Sequence, residues 1–235
     1  MGTVRIKPID YDQHGNDPTA WWGQARQLLD SANLHRRFGL VRSFAIPKDE
    51  VVPEADPFQY RLGRDDTTGM TYFTPAVSVW PEWMLRGFAT ECLLKALWLC
   101  QGHQLCGGGK YRGVIPIGAK KKVRDHELAE LASAVGFDTT PDEREAPLQM
   151  WTFAMVGLGR YPVGVNAEVV PQFASPQLWL FLQVRCLEVG DQLMQRLDRA
   201  VQSTIPGFTD PHGIAPLEFP PYPGLVSGRR YIAGM

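Results

Sequence analysis

No stretch of this sequence stays apolar over the length needed to cross a bilayer. Residues Met1 to Pro18 hold no apolar run of the kind that forms the core of a signal peptide. The expectation is a cytoplasmic protein with no membrane partner. Cysteine is also scarce. Four in 235 residues are too few for a disulfide scaffold, and most fall within predicted helices, where a thiol serves as a small apolar side chain and stays reduced. Net charge is nearly absent: a formal −1 provides no global field to draw the molecule to nucleic acid or to an acidic surface. Binding of that kind must come from a local patch. No internal repeat is found.

Apolar residues are present at helical spacing. The 44% hydrophobic share is enough for one good core. Asp17 and Pro18 open a first helix whose Trp21, Ala25, Leu28, Leu29 and Ala32 share a face until Phe38-Gly39. Residues 40–74 break into short extended pieces, such as Leu40-Val41 and Met70 to Phe73, consistent with a long insertion holding a small hairpin. A second helix, Pro81 to Gln101, is apolar nearly all round and belongs at the centre. A short third helix runs from Asp125 as cap to Gly136. The fourth opens on the capping-box spacing Thr140-Pro141-Asp142-Glu143 and restarts at Pro147, running through Trp151, Met155 and Leu158. The fifth, from Ser175-Pro176 through Leu178, Leu182, Cys186, Val189, Leu193, Leu197 and Val201, keeps near-heptad spacing. These elements predict an all-α fold, an antiparallel helical bundle over 1–203 with loop insertions. A proline-rich arm follows over 204–235, either packed on the bundle or binding a partner.

Several polar residues sit where an apolar one would cost less. Glu91 precedes Lys95 by one turn in the most hydrophobic helix, His126 opens the third helix, and Arg160 follows the fourth beside Tyr161. If buried, such groups require partners. The one concentrated positive stretch, 107–124, carries Lys110, Arg112, Lys120, Lys121, Lys122 and Arg124 with no acidic residue, and Tyr111 is available for stacking. A solvated loop would account for it, and so would a site for RNA or another polyanion bound in a salt-sensitive way. Cys100, His103 and Cys106 form a weak metal candidate, because zinc sites usually begin with paired cysteines. Gly107 to Lys110 lack the Ser or Thr and the preceding strand of a phosphate loop, which excludes a nucleotide hydrolase of that type. No metal or cofactor is expected.

Glu91-Cys92-Leu93-Leu94-Lys95-Ala96-Leu97, then His126-Glu127-Leu128 with Leu131, then Arg160-Tyr161-Pro162, resemble the E-x-x-L-K-x-L, H-x-L-x-x-L and R-Y-P pattern of bacterial HEPN-like helical domains. The resemblance runs from Tyr72 to Pro162. It implies a helical bundle that pairs as a homodimer, and roles in defence or toxin-antitoxin systems. Ribonucleases of that superfamily use an Arg-x(4-6)-His motif, the arginine for phosphate charge and the histidine for acid-base chemistry. Here His14, His35, His103, His126 and His212 each lack an arginine at that spacing. The reading is therefore a non-catalytic protein binding RNA, a nucleotide or a protein partner, with ligand contacts from the basic loop and Tyr161. Two alternatives stay open. One is a divergent metal-independent endoribonuclease in which Lys120 or Lys121 works with His126, or Arg160 with a distant histidine. The other is a purely structural interaction protein whose tail docks on another protein, with Glu91, Lys95, His126 and Arg160 pinning the helices together.

Overall fold

The computed structural model describes residues 8–38, 44–46, 60–64, 71–75, 80–156, 176–205 and 217–220. Its elements are α1 (Pro8–Gly15), α2 (Pro18–Phe38), β1 (Phe44–Ile46), β2 (Tyr60–Arg64), β3 (Thr71–Pro75), α3 (Trp80–Cys100), α4 (Leu128–Ala134), α5 (Pro141–Glu143), a π-helical turn at Arg144–Leu148, α6 (Gln149–Val156) and α7 (Pro176–Thr204). The fold is all-α in its core. The three short strands pair antiparallel in the order β1-β3-β2, with Phe44 opposite Phe73 and Leu62 also opposite Phe73. They lie in the predicted 40–74 insertion, β3 passing its end by one residue, where the sequence suggests a hairpin; Leu40-Val41 and Met70 lie outside the described residues.

Local chemistry explains most helix ends. The Asp17 carboxylate accepts the Thr19 amide at 2.9 Å, and Pro18 loses nothing at the first helical position. Thr140 and Glu143 make the full capping box, each side chain accepting from the other's backbone amide. Pro147 does not restart the helix. It sits inside the π-helical turn, whose wider loop accommodates a residue with no amide proton, and the chain continues helically to Val156. The predicted start of α4 moves: Asp125 does not cap it, because its carboxylate is drawn into the ion cluster described below, and α4 begins at Leu128 without a side-chain cap. Gly136, at φ +67°, ends α4 as expected, since a left-handed position favours glycine. Helix α1 is not anticipated, because its eight residues carry almost no apolar periodicity.

Ion pairs fix helix directions. Arg26 reaches Asp198 and Arg36 reaches Asp191, so α2 and α7 run antiparallel. Arg86 meets Asp191 and Thr90 meets Met194, so α3 and α7 run parallel. Arg196 meets Glu143, while Gly190 faces Pro147 and Trp151, so the 141–156 helix runs back against α7. Helix α3 is the hub: every residue from Ala89 to Leu99 is buried, which explains why its pattern is apolar all round rather than striped. Glycine permits the closest crossings. A Cβ on Gly87 would lie 2.8 Å from Met155, and one on Gly190 would lie 2.8 Å from the Trp151 ring. Of the C-terminal arm, Leu217 is buried and Phe219 packs against the core. Gln195 and Asn33 donate to the Leu217 and Glu218 carbonyls, so this part of the arm is packed on the bundle.

Candidate functional site

Three of the four anticipated polar residues meet. The Glu91 carboxylate takes the Lys95 ammonium on one oxygen and His126 Nδ1 on the other at 2.8 Å. Glu91 and Lys95 are buried, whereas His126 is about a third exposed. Arg160, like Tyr161, lies outside the described residues. Asp125, Tyr111 and Trp21 complete the cluster. Lys95 Nζ lies 3.4 Å from Asp125 and 5.0 Å from the centre of each of the Trp21 and Tyr111 rings, a position that favours a cation against aromatic faces. The Tyr111 hydroxyl donates to Asp125 Oδ1 at 2.6 Å, and Lys122 reaches the other oxygen at 3.3 Å. Sequence alone marks Tyr111 as a stacking residue and Asp125 as a cap. Their pairing depends on loop closure, which leaves no periodic signal.

Burial opposes ionisation of Asp125, yet the Tyr111 hydroxyl and the charges of Lys95 and Lys122 outweigh it and hold the carboxyl below its ordinary range. Burial, the hydrogen bond to Asp125 and nearby negative charge push the Tyr111 phenol upward. A depressed carboxyl binds fewer protons folded than unfolded. Its contribution to stability is complete above the ordinary aspartate value of about 4 and is lost as pH falls through the lower, folded value. Urea titrations over the acid range should therefore show a decline in the native protein that is shallower in Asp125→Asn. Equal slopes would remove Asp125 from the acid response.

This cluster is the hinge-point of the basic loop. Tyr111 and Asp125 stand near the two ends of the stretch that carries its cations, and both are tied to Lys95 on α3. Helix α1 and the turn after it hold the loop from the other side: Asn16 accepts the Leu105 and Cys106 amides and donates to the Cys106 carbonyl, and Asp12 accepts the Gly109 amide at 3.0 Å. Gly15 packs so tightly on Cys106 that an added Cβ would lie 2.4 Å from its sulfur. Further along, the Val123 amide donates to the Val114 carbonyl and closes the loop over residues between them. The loop is thus fixed to the bundle at several points, while its cations face outward.

The cations divide into two groups. Lys122 pairs with Asp125, and Arg124 lies 3.7 Å from Glu127. Lys110, Arg112, Lys120 and Lys121 are exposed and have no ion pair among the described residues. The metal candidate does not assemble. His103 stacks on Trp98 with ring centres 3.8 Å apart, Cys106 is buried against Gly15, and among the described residues no three His, Cys, Asp or Glu side chains form a group able to hold a metal. Burial raises the Cys100 and Cys106 thiols, away from the thiolate that a metal requires. Comparison with protein-family models, curated proteins and solved structures finds no match for this chain. Among the described residues no helix is long and apolar enough to cross a membrane.

Burial likewise raises Cys186, and burial with the adjoining Glu91 charge raises Cys92 to about 12, so both thiols act as apolar core groups. The arrangement as a whole can present fixed positive charge. His126 also offers one ring nitrogen away from Glu91, but its orientation by Glu91 serves the same cluster that anchors the loop.

Proposed function

We propose that this chain is a non-catalytic, HEPN-like binding protein that takes RNA on its basic loop. The observation that supports this reading is the set of four exposed cations, Lys110, Arg112, Lys120 and Lys121, with no acidic partner among the described residues. They sit on a loop that the Asn16, Asp12 and Lys95 contacts hold in place. A solvated, purposeless loop gains nothing from such anchoring. A phosphate-binding surface does, because fixing the cations beforehand lowers the ordering cost of binding. Glu91, Lys95 and His126 act in this reading as the loop's support rather than as catalytic groups. Their joint hydrogen bonding is what a buried polar cluster needs in order to be tolerated.

The test is fluorescence anisotropy with a labelled single-stranded RNA of about ten nucleotides across a salt series. Four phosphate contacts give a log-log salt slope of about −3. A variant with alanine at Lys110, Arg112, Lys120 and Lys121 should lose most of the affinity and most of that slope, while keeping its thermal transition. Salt-independent binding, or binding unchanged in the variant, would sink the reading. Cleavage of the RNA in the same samples, abolished by His126→Ala in a folded protein, would replace it with a divergent endoribonuclease.

A further inference from the structure

Beside the exposed cations lies an open groove of about 410 Å³, formed between the basic loop and α4. Pro116 and Val123 make the loop wall; Ala129 and Ala134 make the helix wall. All four side chains are small, apolar and only partly covered, so the floor is a shallow apolar slot. Glu130, Ser133 and Arg144 stand round it, an acceptor, a hydroxyl and a guanidinium at its edge, the guanidinium donating to the Thr139 hydroxyl at 2.6 Å and to that of Ser133 at 3.4 Å. The Ala119 amide turns back to the Pro116 carbonyl at 2.9 Å, placing Ile117 at the tip, 89% exposed, and bringing Lys120 and Lys121 onto the return limb between the two loop residues of the slot.

Apolar slot, polar edge and adjoining cations match the three parts of a nucleotide: a flat apolar face, hydrogen-bonding edges and a negative phosphate. We infer that this groove receives an unpaired nucleobase, with the flanking phosphates on Lys120 and Lys121, so that the ligand of the basic loop is single-stranded RNA rather than duplex. The inference rests on the RNA-binding reading above. Charge complementarity selects the occupant: the cations lie on the same short loop that walls the slot, and a base arrives already linked to phosphates. In a duplex both faces of each base are covered by stacking, so only a single strand can deliver one at low cost. The exposed Ile117 is then an apolar contact for a neighbouring base, as wedge residues are in other nucleic-acid complexes.

Ser133 is exposed on α4 and its hydroxyl donates only within its own helix, to the Ala129 carbonyl at 3.0 Å. Ser133→Trp therefore fills the slot at the loss of one 3.4 Å bond accepted from Arg144, whose guanidinium keeps Thr139 at 2.6 Å, and it leaves Lys110, Arg112, Lys120, Lys121 and the core in place. Anisotropy on single-stranded and duplex RNA of the same length should show tighter binding of the single strand to the native protein. In Ser133→Trp that affinity should fall on the order of tenfold, a loss within the range for one base contact, with the salt slope unchanged. Ile117→Ser should weaken the single strand in the same direction. Equal affinity for both RNAs, untouched by Ser133→Trp, overturns the slot while leaving the basic-loop reading standing. No salt-sensitive binding to either RNA overturns that reading and the slot with it. Self-association of the native chain in sedimentation velocity that Ser133→Trp abolishes assigns the groove to a second copy and also overturns the inference.

Discussion

Lys95→Met should lower the stability of the fold by about 3–5 kcal/mol, the usual loss when one partner of a buried ion pair is removed. The substitution keeps most of the apolar stem and deletes the ammonium. Glu91 would then hold a buried carboxylate with His126 alone, and Asp125 would lose one of its two cations. In a chain of this size each kcal/mol moves the melting temperature by about 2–4 °C, so the shift would be roughly 6–20 °C. Lys122→Met, on an exposed side chain, should stay within about 0.5 kcal/mol. The double variant Glu91→Gln with Lys95→Met should recover part of the loss, because it removes both charges together. Additive losses, or a Lys95→Met protein as stable as the native one, would show that the pair does not hold the cluster. RNA affinity should fall in Lys95→Met more than its distance from the exposed cations suggests, because Tyr111 and Asp125 lose their common anchor.

The helices of the bundle were legible from sequence because burial imposes a period. Ala25, Leu29 and Ala32 repeat on α2, and Leu193, Leu197 and Val201 repeat on α7, and all are buried. Caps built from neighbouring residues were legible for the same reason: Asp17 and the Thr140–Glu143 box act over a few positions. What could not be read depends on distant residues meeting. Asn16 bonds residues about ninety positions away, and nothing in its surroundings predicts this. Tyr111 and Asp125 look like loop residues until Lys95 is seen beneath them. Glu91 and Lys95 could be singled out because charges within an apolar helix need partners, but the identity of those partners required the fold. The zinc candidate failed on similar grounds. Short spacing brought Cys100, His103 and Cys106 to notice, but Trp98 claims the His103 ring and Gly15 covers Cys106.

A rigid scaffold carrying a charged loop divides the chemistry between two ends of α3. Toward its C-terminal half, Glu91 and Lys95 anchor the loop. Toward its start, Arg86 joins the helices themselves, bonded to Glu82 at 2.7 Å and to Asp191 at 3.1 Å. Losing the first cluster should cost function as well as stability. Losing the second should cost stability with little change in the loop's intrinsic affinity.

Asp191→Asn tests that division, and it should destabilise by about 3–5 kcal/mol. Its carboxylate takes Arg36 through two bonds of 2.8 Å and shares one oxygen with Arg86, so a single side chain on α7 ties α2 and α3 together. An amide keeps one accepting oxygen but loses the charge that balances two buried guanidiniums, and it cannot accept the paired donors of Arg36 as well. The C-terminal arm is coupled to the same groups. The Phe219 ring lies 4.7 Å from the Arg86 guanidinium and 5.8 Å from that of Arg36. Phe219→Ala should therefore cost about 1–3 kcal/mol through lost burial and cation contact. Both substitutions act on the same two arginines, so their effects should not add. A urea-denaturation cycle should give a coupling of about 0.5–3 kcal/mol. Simple additivity would mean that the arm rests on the bundle independently of the Arg36–Asp191–Arg86 bridge. Salt-sensitive RNA affinity in Asp191→Asn, measured where the variant is fully folded, should match the native protein, because none of the loop's anchors passes through this bridge.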